Sequence, residues 1–182
     1  KDSNEPRPFD ILRQYTFATG ARTQFSGNFE IGKLKNQFIF GMEYFTDNYN
    51  GNTFENLYKQ NNGQGSLQGN QLTESDQKRH FYNIFSQIRS LLSEKLELQF
   101  GLNYNETHFE LTNFLPQKTA TEKYSYDGIF SPQLSLLFKP NQQQTLYFSA
   151  SRGFSLPATE ETLTSNGTIN PDIKPENGYN FE

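Results

Sequence analysis

Apolar and polar residues alternate with a period of two along most of the chain, and helical spacing is scarce. Over residues 95–110, Leu96, Leu98, Phe100, Leu102 and Tyr104 share one parity, while Glu97, Gln99, Gly101, Asn103 and Asn105 share the other. A β-strand sends such sets to opposite faces. The same pattern sets Thr23, Phe25, Gly27, Phe29 and Ile31 against Arg22, Gln24, Ser26, Asn28 and Glu30. It recurs at Phe38, Phe40, Met42 and Tyr44, at Phe130, Leu134, Leu136 and Phe138, and at Leu146, Phe148 and Ala150. Residues 80–92 read as a strand that carries Phe81 and Phe85 on the parity of Asn83, Gln87 and Arg89. The pattern predicts an all-β chain: an antiparallel up-and-down meander of about 6–7 strands.

The connections alternate in length. Residues 32–36, 92–95 and 139–144 are short turns with Gly, Ser, Pro and Asn, whereas residues 48–78, 111–127 and 153–177 are long polar stretches. Short and long connections therefore fall on opposite ends of the sheet. Compact water-soluble domains favour short loops throughout. A transmembrane β-barrel instead has short turns at one rim and long loops at the other.

Composition sharpens this picture. Only 33% of the 182 residues are hydrophobic, yet 18 Phe and 10 Tyr bring the aromatic share to 15%, so rings make up nearly half of the apolar material. The net charge of -4 is no nucleic-acid footprint. With no cysteine, disulfides and thiolate chemistry are excluded. No apolar run is long enough for a transmembrane helix, but alternating strands never score as such runs. The predicted strands reach the roughly 9–11 residues that must cross hydrocarbon. Gln, Asn, Ser and Gly on the opposite parity suit a wet interior, and Tyr44 and Tyr104 fall toward the long-loop ends, where an aromatic girdle belongs.

The stretch from Gln133 onward, QLSLLFKPNQQQTLYFSASRGFSLPATEETLTSNGTINPDIKPENGYNFE, resembles the C-terminal half of TonB-dependent outer-membrane receptors, of the siderophore-receptor type. The matching residues are Gly153, Phe154, Pro157 and Glu160 or Glu161, then Asn170, Pro171, Lys174, Pro175, Glu176, Asn180 and Glu182, with Ile173 where Leu is usual. FSGNFEIGKLKNQFIFGMEYF, with Gly41, Glu43 and Tyr44, and FYNIFSQIRSLLSEKLELQFGLNYNE, with Gly101 to Tyr104, look like two of the family's hairpins; Asn103 stands where the family often has Arg. The resemblance covers roughly residues 23–182.

That resemblance implies a partial barrel over residues 1–182, belonging to a transmembrane barrel of about 22 strands, with the plug domain, the energy-coupling box and the remaining strands absent from this stretch. It implies a bacterial outer-membrane receptor that imports a scarce ligand such as a ferric siderophore, with outer-membrane lipid around it and the TonB complex acting through the missing plug. Open sheet edges predict that the piece alone self-associates.

The motif residues also have a structural reading. Pro157, Pro171 and Pro175 fix φ and shape a long loop, Gly153 permits a turn where the strand leaves the sheet, and Lys174 and Glu176 orient the loop through ion pairs. Tyr49, Tyr58, Tyr124 and Tyr126 lie in or near the long stretches and are the candidates for covering a ligand face. No catalytic set is predicted: Glu160 and Glu161 are adjacent and point to opposite sides of an extended chain. No metal site or cofactor is expected from His80 and His108 alone, although both sit at long-loop ends of strands and could meet at the mouth. The competing reading is a soluble secreted all-β carbohydrate-binding module, with one apolar face packed on a second sheet and loop tyrosines stacking on sugars.

Overall fold

The computed structural model describes residues 9–157, 162, 164, 168–170 and 172–182. Seven strands form one sheet in sequence order: β1 (Ile11–Ile31), β2 (Leu34–Asn56), β3 (Gln68–Ser93), β4 (Leu96–Leu115), β5 (Glu122–Asn141), β6 (Gln144–Ser155) and β7 (Glu176–Phe181). It is the antiparallel meander that the alternation predicts.

The short connections are tighter than the sequence suggests. Gly32 and Lys33 join β1 to β2, Glu94 and Lys95 join β3 to β4, and Gln142 and Gln143 join β5 to β6. Gly32 takes φ 62, a conformation that costs glycine little and other residues much. Between β5 and β6 the register pairs Leu134 with Ala150, Leu136 with Phe148 and Phe138 with Leu146. The apolar parity of one strand therefore lies beside that of the next, the pairing that stabilises one face of a sheet.

The long connections are mostly strand. Residues 48–78 were expected to be loop, but β2 and β3 extend through them and leave only 57–67 outside, with a short 3-10 turn at Tyr58–Asn61. Residues 111–127 shrink likewise to a connection at 116–121. The cause is that backbone pairing needs no apolar residues: polar strands continue past the point where the greasy row stops. The connection after β6 does hold: Asn170 N–H donates to Thr162 O at 2.7 Å and Thr164 N–H to Thr168 O at 2.8 Å.

The chain divides into two units, each described by itself. One comprises the described residues up to Ala18, with Asp47–Arg79 and Phe109–Lys123. The other comprises the described parts of Thr19–Thr46, His80–His108 and Tyr124–Glu182.

In the second unit the apolar row is the exposed one. Phe40 is 40% exposed, Phe100 47%, Phe130 52% and Phe148 47%, and among the described residues of the whole chain Phe109, Leu111 and Tyr126 are the buried apolar side chains. A sandwich would bury one row of each strand under a second sheet, and among the described residues there is one sheet. The apolar row is built to meet something other than protein core.

Rings locking onto glycines fix how these strands sit. On the polar face Phe85 of β3 lies over Gly41 of β2, and on the apolar face Tyr104 of β4 lies over Gly128 of β5; in both places a Cβ would collide with the ring. Gly27 of β1 lies under Phe38 of β2. This accounts for the ring that the alternation put on the polar parity at Phe85: it fills the space that Gly41 leaves.

Candidate functional site

The apolar face of the second unit has a built border. Counted from the short turns, its outward positions carry no charged residue until nine to twelve residues into each strand, where Tyr44, Tyr82, Tyr104 and Arg152 appear. That length matches the hydrocarbon crossing of a barrel strand. At the border, Tyr44 Oη and His80 Nδ1 are hydrogen-bonded at 2.9 Å, and the Tyr44 and Tyr82 rings lie 5.0 Å apart. Tyr82 meets His108 edge-on at 5.7 Å, His108 Nε2 lies 2.9 Å from Glu106 Oε1, and Tyr104 donates its hydroxyl to Glu106 at 3.1 Å. His80 thus meets Tyr44, and His108 meets Tyr82 and Glu106. No cluster of three or more metal-binding side chains occurs among the described residues.

The opposite face is polar. A recess of about 370 Å³ is lined by Arg22, Gln24, Glu43, Asn83, Phe85, Gln87, Asn103, Ser131 and Gln133, among others. The guanidinium of Arg22 lies 4.7 Å from the Phe85 ring centroid, which holds the cation against the wall. The side-chain oxygens of Asn83, Asn103 and Ser131 are buried there without a hydrogen-bond partner. Polar atoms in that position require water or another polar surface over them. Nearer the short turns Arg89 grips Glu97 with two parallel hydrogen bonds, at 2.5 and 2.6 Å. Further along β4, Asn105 and Thr107 are fully buried; Asn105 donates to Tyr82 O at 3.1 Å and accepts from Thr107 at 3.2 Å. Sequence reading gave these two no role, since alternation marks them only as polar.

The first unit is held by polar pairs across β2 and β3. Arg79 donates to Asp47 through Nε at 2.9 Å and through Nη2 at 2.5 Å, and Asn50 donates to Asp76 at 2.7 Å. Gln71 donates to Asn52 at 2.7 Å, and Asn56 donates to Ser66 while accepting from Leu67 N–H at 3.2 Å. The guanidinium of Arg13 sits 5.5 Å from the Phe54 ring centroid.

The candidate residues take specific places. Tyr49 lies within β2 against Gly51, Tyr58 opens the 3-10 turn, and both belong to the first unit. Tyr124 and Tyr126 lie within β5 in the second unit and meet edge-on at 5.0 Å, Tyr126 being buried. Of the motif, Gly153 is not the turn where β6 leaves the sheet: β6 runs on to Ser155, and Gly153 pairs with Gly178 of β7 with open space beside both. Phe154 is half-buried within β6, and Pro157 is buried just beyond it. Asn170 accepts a hydrogen bond from Asp172 N–H, Lys174 is exposed, Pro175 is half-buried, and Glu176 starts β7. Glu160, Glu161 and Pro171 lie outside the described residues.

A sheet with a charge-free outer row, an aromatic border and a polar inner row is the wall of an outer-membrane β-barrel. The family model described as TonB dependent receptor-like, beta-barrel matches residues 2–182, and the chain belongs to that family. It is thus a barrel fragment of a bacterial outer-membrane receptor.

Three solved structures share the fold. The ferric citrate transporter FecA in its unliganded form superposes with a TM-score of 0.78 at 12% identity, over 94% of this chain and 25% of that one. The ferripyoverdine receptor of Pseudomonas aeruginosa, bound to ferripyoverdine, gives 0.70 at 15%, over 93% and 22%. The siderophore receptor PiuA from Acinetobacter baumannii gives 0.67 at 17%, over 92% and 29%. The chain spans about a quarter of the length of these receptors. No curated protein matches it by sequence.

Proposed function

We propose that residues 1–182 form one part of a receptor barrel that captures a scarce ligand at the extracellular side and imports it, the ligand being a ferric siderophore. The carrying observation is the two-sided wall: a charge-free outer row that suits lipid, backed by an inner recess of amides, hydroxyls and two opposite charges. The three structural relatives are a ferric citrate transporter, a ferripyoverdine receptor and a siderophore receptor, which supports iron chelates as the ligand class. The TonB complex, acting through a plug in the rest of the protein, supplies the energy. This segment makes and breaks no bonds and holds no cofactor or metal of its own; it contributes wall and loops. Tyr49, Tyr58, Tyr124 and Tyr126 are its proposed ligand contacts, while the motif from Gly153 to Glu176 shapes the connection between β6 and β7.

The test is uptake by the whole receptor. Removing residues 156–175, with β6 and β7 kept, should reduce accumulation of radiolabelled iron supplied as a siderophore chelate. Unchanged uptake at normal surface abundance would take this connection out of the mechanism.

A further inference from the structure

Three strand glycines of the second unit each hold a ring from a neighbouring strand: Phe38 sits on Gly27, Phe85 on Gly41 and Tyr104 on Gly128. A glycine inside a strand weakens it, since it loses more freedom on folding and brings no side chain to pack. A ring laid across it from the next strand restores the missing contact. Gly153 and Gly178 have no such cover. They pair with each other across β6 and β7, and among the described residues nothing lies within 4 Å of where either Cβ would stand.

Both glycines belong to the polar face. Gly153 shares the parity of Ser149 and Gly178 that of Glu182, whose carboxylate accepts from Tyr147 at 2.6 Å and from Ser149 at 3.5 Å. The inner wall therefore has a bare stretch of paired backbone at this point. The connection from β6 to β7 holds no ring to lay on it, because residues 156–175 contain no Phe, Tyr, Trp or His. Phe154 and Tyr179, the rings next to the pair along β6 and β7, take the opposite parity and face away. A ring can reach the pair from across the open edge of β7.

The hydrogen-bond phase favours that route. Ser149 and Glu182 exchange both backbone hydrogen bonds, each at 3.0 Å. The phase of an antiparallel ladder repeats at every second pair, so Gly153 and Gly178, in the same register, are a hydrogen-bonded pair as well. Gly178 thus spends its backbone groups on β6. Toward a strand on its other side it stands in a non-hydrogen-bonded pair, the kind in which opposed side chains lie closest. β7 is last in this sheet, and a closed barrel leaves no edge, so another strand of the receptor pairs with it.

We propose that the strand pairing with the open edge of β7 carries an aromatic residue directly opposite Gly178, its ring lying over Gly178 on the lumen side and reaching toward Gly153. The inner-face precedent is Phe85 on Gly41. The bare pair is then a seat that makes this strand the specific neighbour of β7 and fixes its register, since a slip of one residue would turn the ring to the lipid side. The inference rests on the barrel, which family membership establishes, and not on the ligand proposed for import.

The test uses the intact receptor in detergent, with the thermal midpoint read from loss of the folded form on unheated gels. Gly178→Ala should lower the midpoint by about as much as Gly41→Ala does, and alanine in place of the opposing aromatic residue should recover part of the loss. A raised or unchanged midpoint, the result expected when alanine replaces a strand glycine in open space, overturns the proposal. So does a pairing strand with no aromatic residue opposite position 178, or recovery that follows only from trimming a ring elsewhere in the receptor. If Gly178→Ala fails to insert, Gly153→Ala at the far side of the seat decides: a smaller drop is expected, and no drop overturns the proposal.

Discussion

The Tyr104 ring closes the gap left by Gly128 on the neighbouring strand, so tightly that no Cβ fits there. The same ring is 5.0 Å from Phe130 by centroids, and its hydroxyl reaches Glu106. One side chain thereby ties β4 to β5, fills a hole in the outer row and holds the carboxylate of the border.

Gly128→Ala should therefore destabilise the receptor by about 1–3 kcal/mol, the usual cost of overfilling a packed position. Thermal unfolding in detergent, followed as loss of the folded form on unheated gels, measures it. Tyr104→Ala in the same chain should recover part of the loss, since the clash disappears with the ring. The Gly41→Ala and Phe85→Ala pair offers the same comparison on the polar face.

Charge in the outer row should be expensive and charge in the inner row cheap. Phe40→Arg or Phe100→Arg should cost about 2–4 kcal/mol in refolding into lipid vesicles. Gln24→Arg, whose side chain lines the recess, should cost far less. Equal costs on both rows would remove the assignment of faces.

The Arg79–Asp47 pair is partly sheltered, with side-chain exposures of 35% and 15%. Asp47→Asn should cost about 0.2–1 kcal/mol, the range for ion pairs that water still reaches. Hydrogen exchange across 47–56 and 70–79 should quicken, and the loss should shrink as salt is raised.

The sheet ends at β1 on one side and β7 on the other, and unpaired edges recruit strands. The 182-residue chain by itself should associate in plain buffer and disperse in detergent. Light scattering that reports a stable monomer without detergent would count against an apolar face built for lipid.

Much of this molecule was legible along the chain because facing is a local property. A residue's parity alone decides which side of a strand it takes, so the rows at Phe40, Phe100 and Phe148 and the polar inner wall followed from alternation. Strand length did not follow. Polar residues such as those at 48–56 and 68–79 pair through backbone groups that no side-chain pattern reports, and the tyrosines at 49, 124 and 126 turned out to stand in strands rather than loops.

The sequence by itself determined the class of sheet, its two unlike faces and its family. Tertiary structure alone decided which ring covers which glycine, that Gly153 faces Gly178 instead of making a turn, and that Tyr44, His80, Tyr82 and His108 form one chain of contacts. These depend on register between strands far apart in sequence. Alternation fixes the side to which each residue points and leaves its neighbour across the gap undetermined.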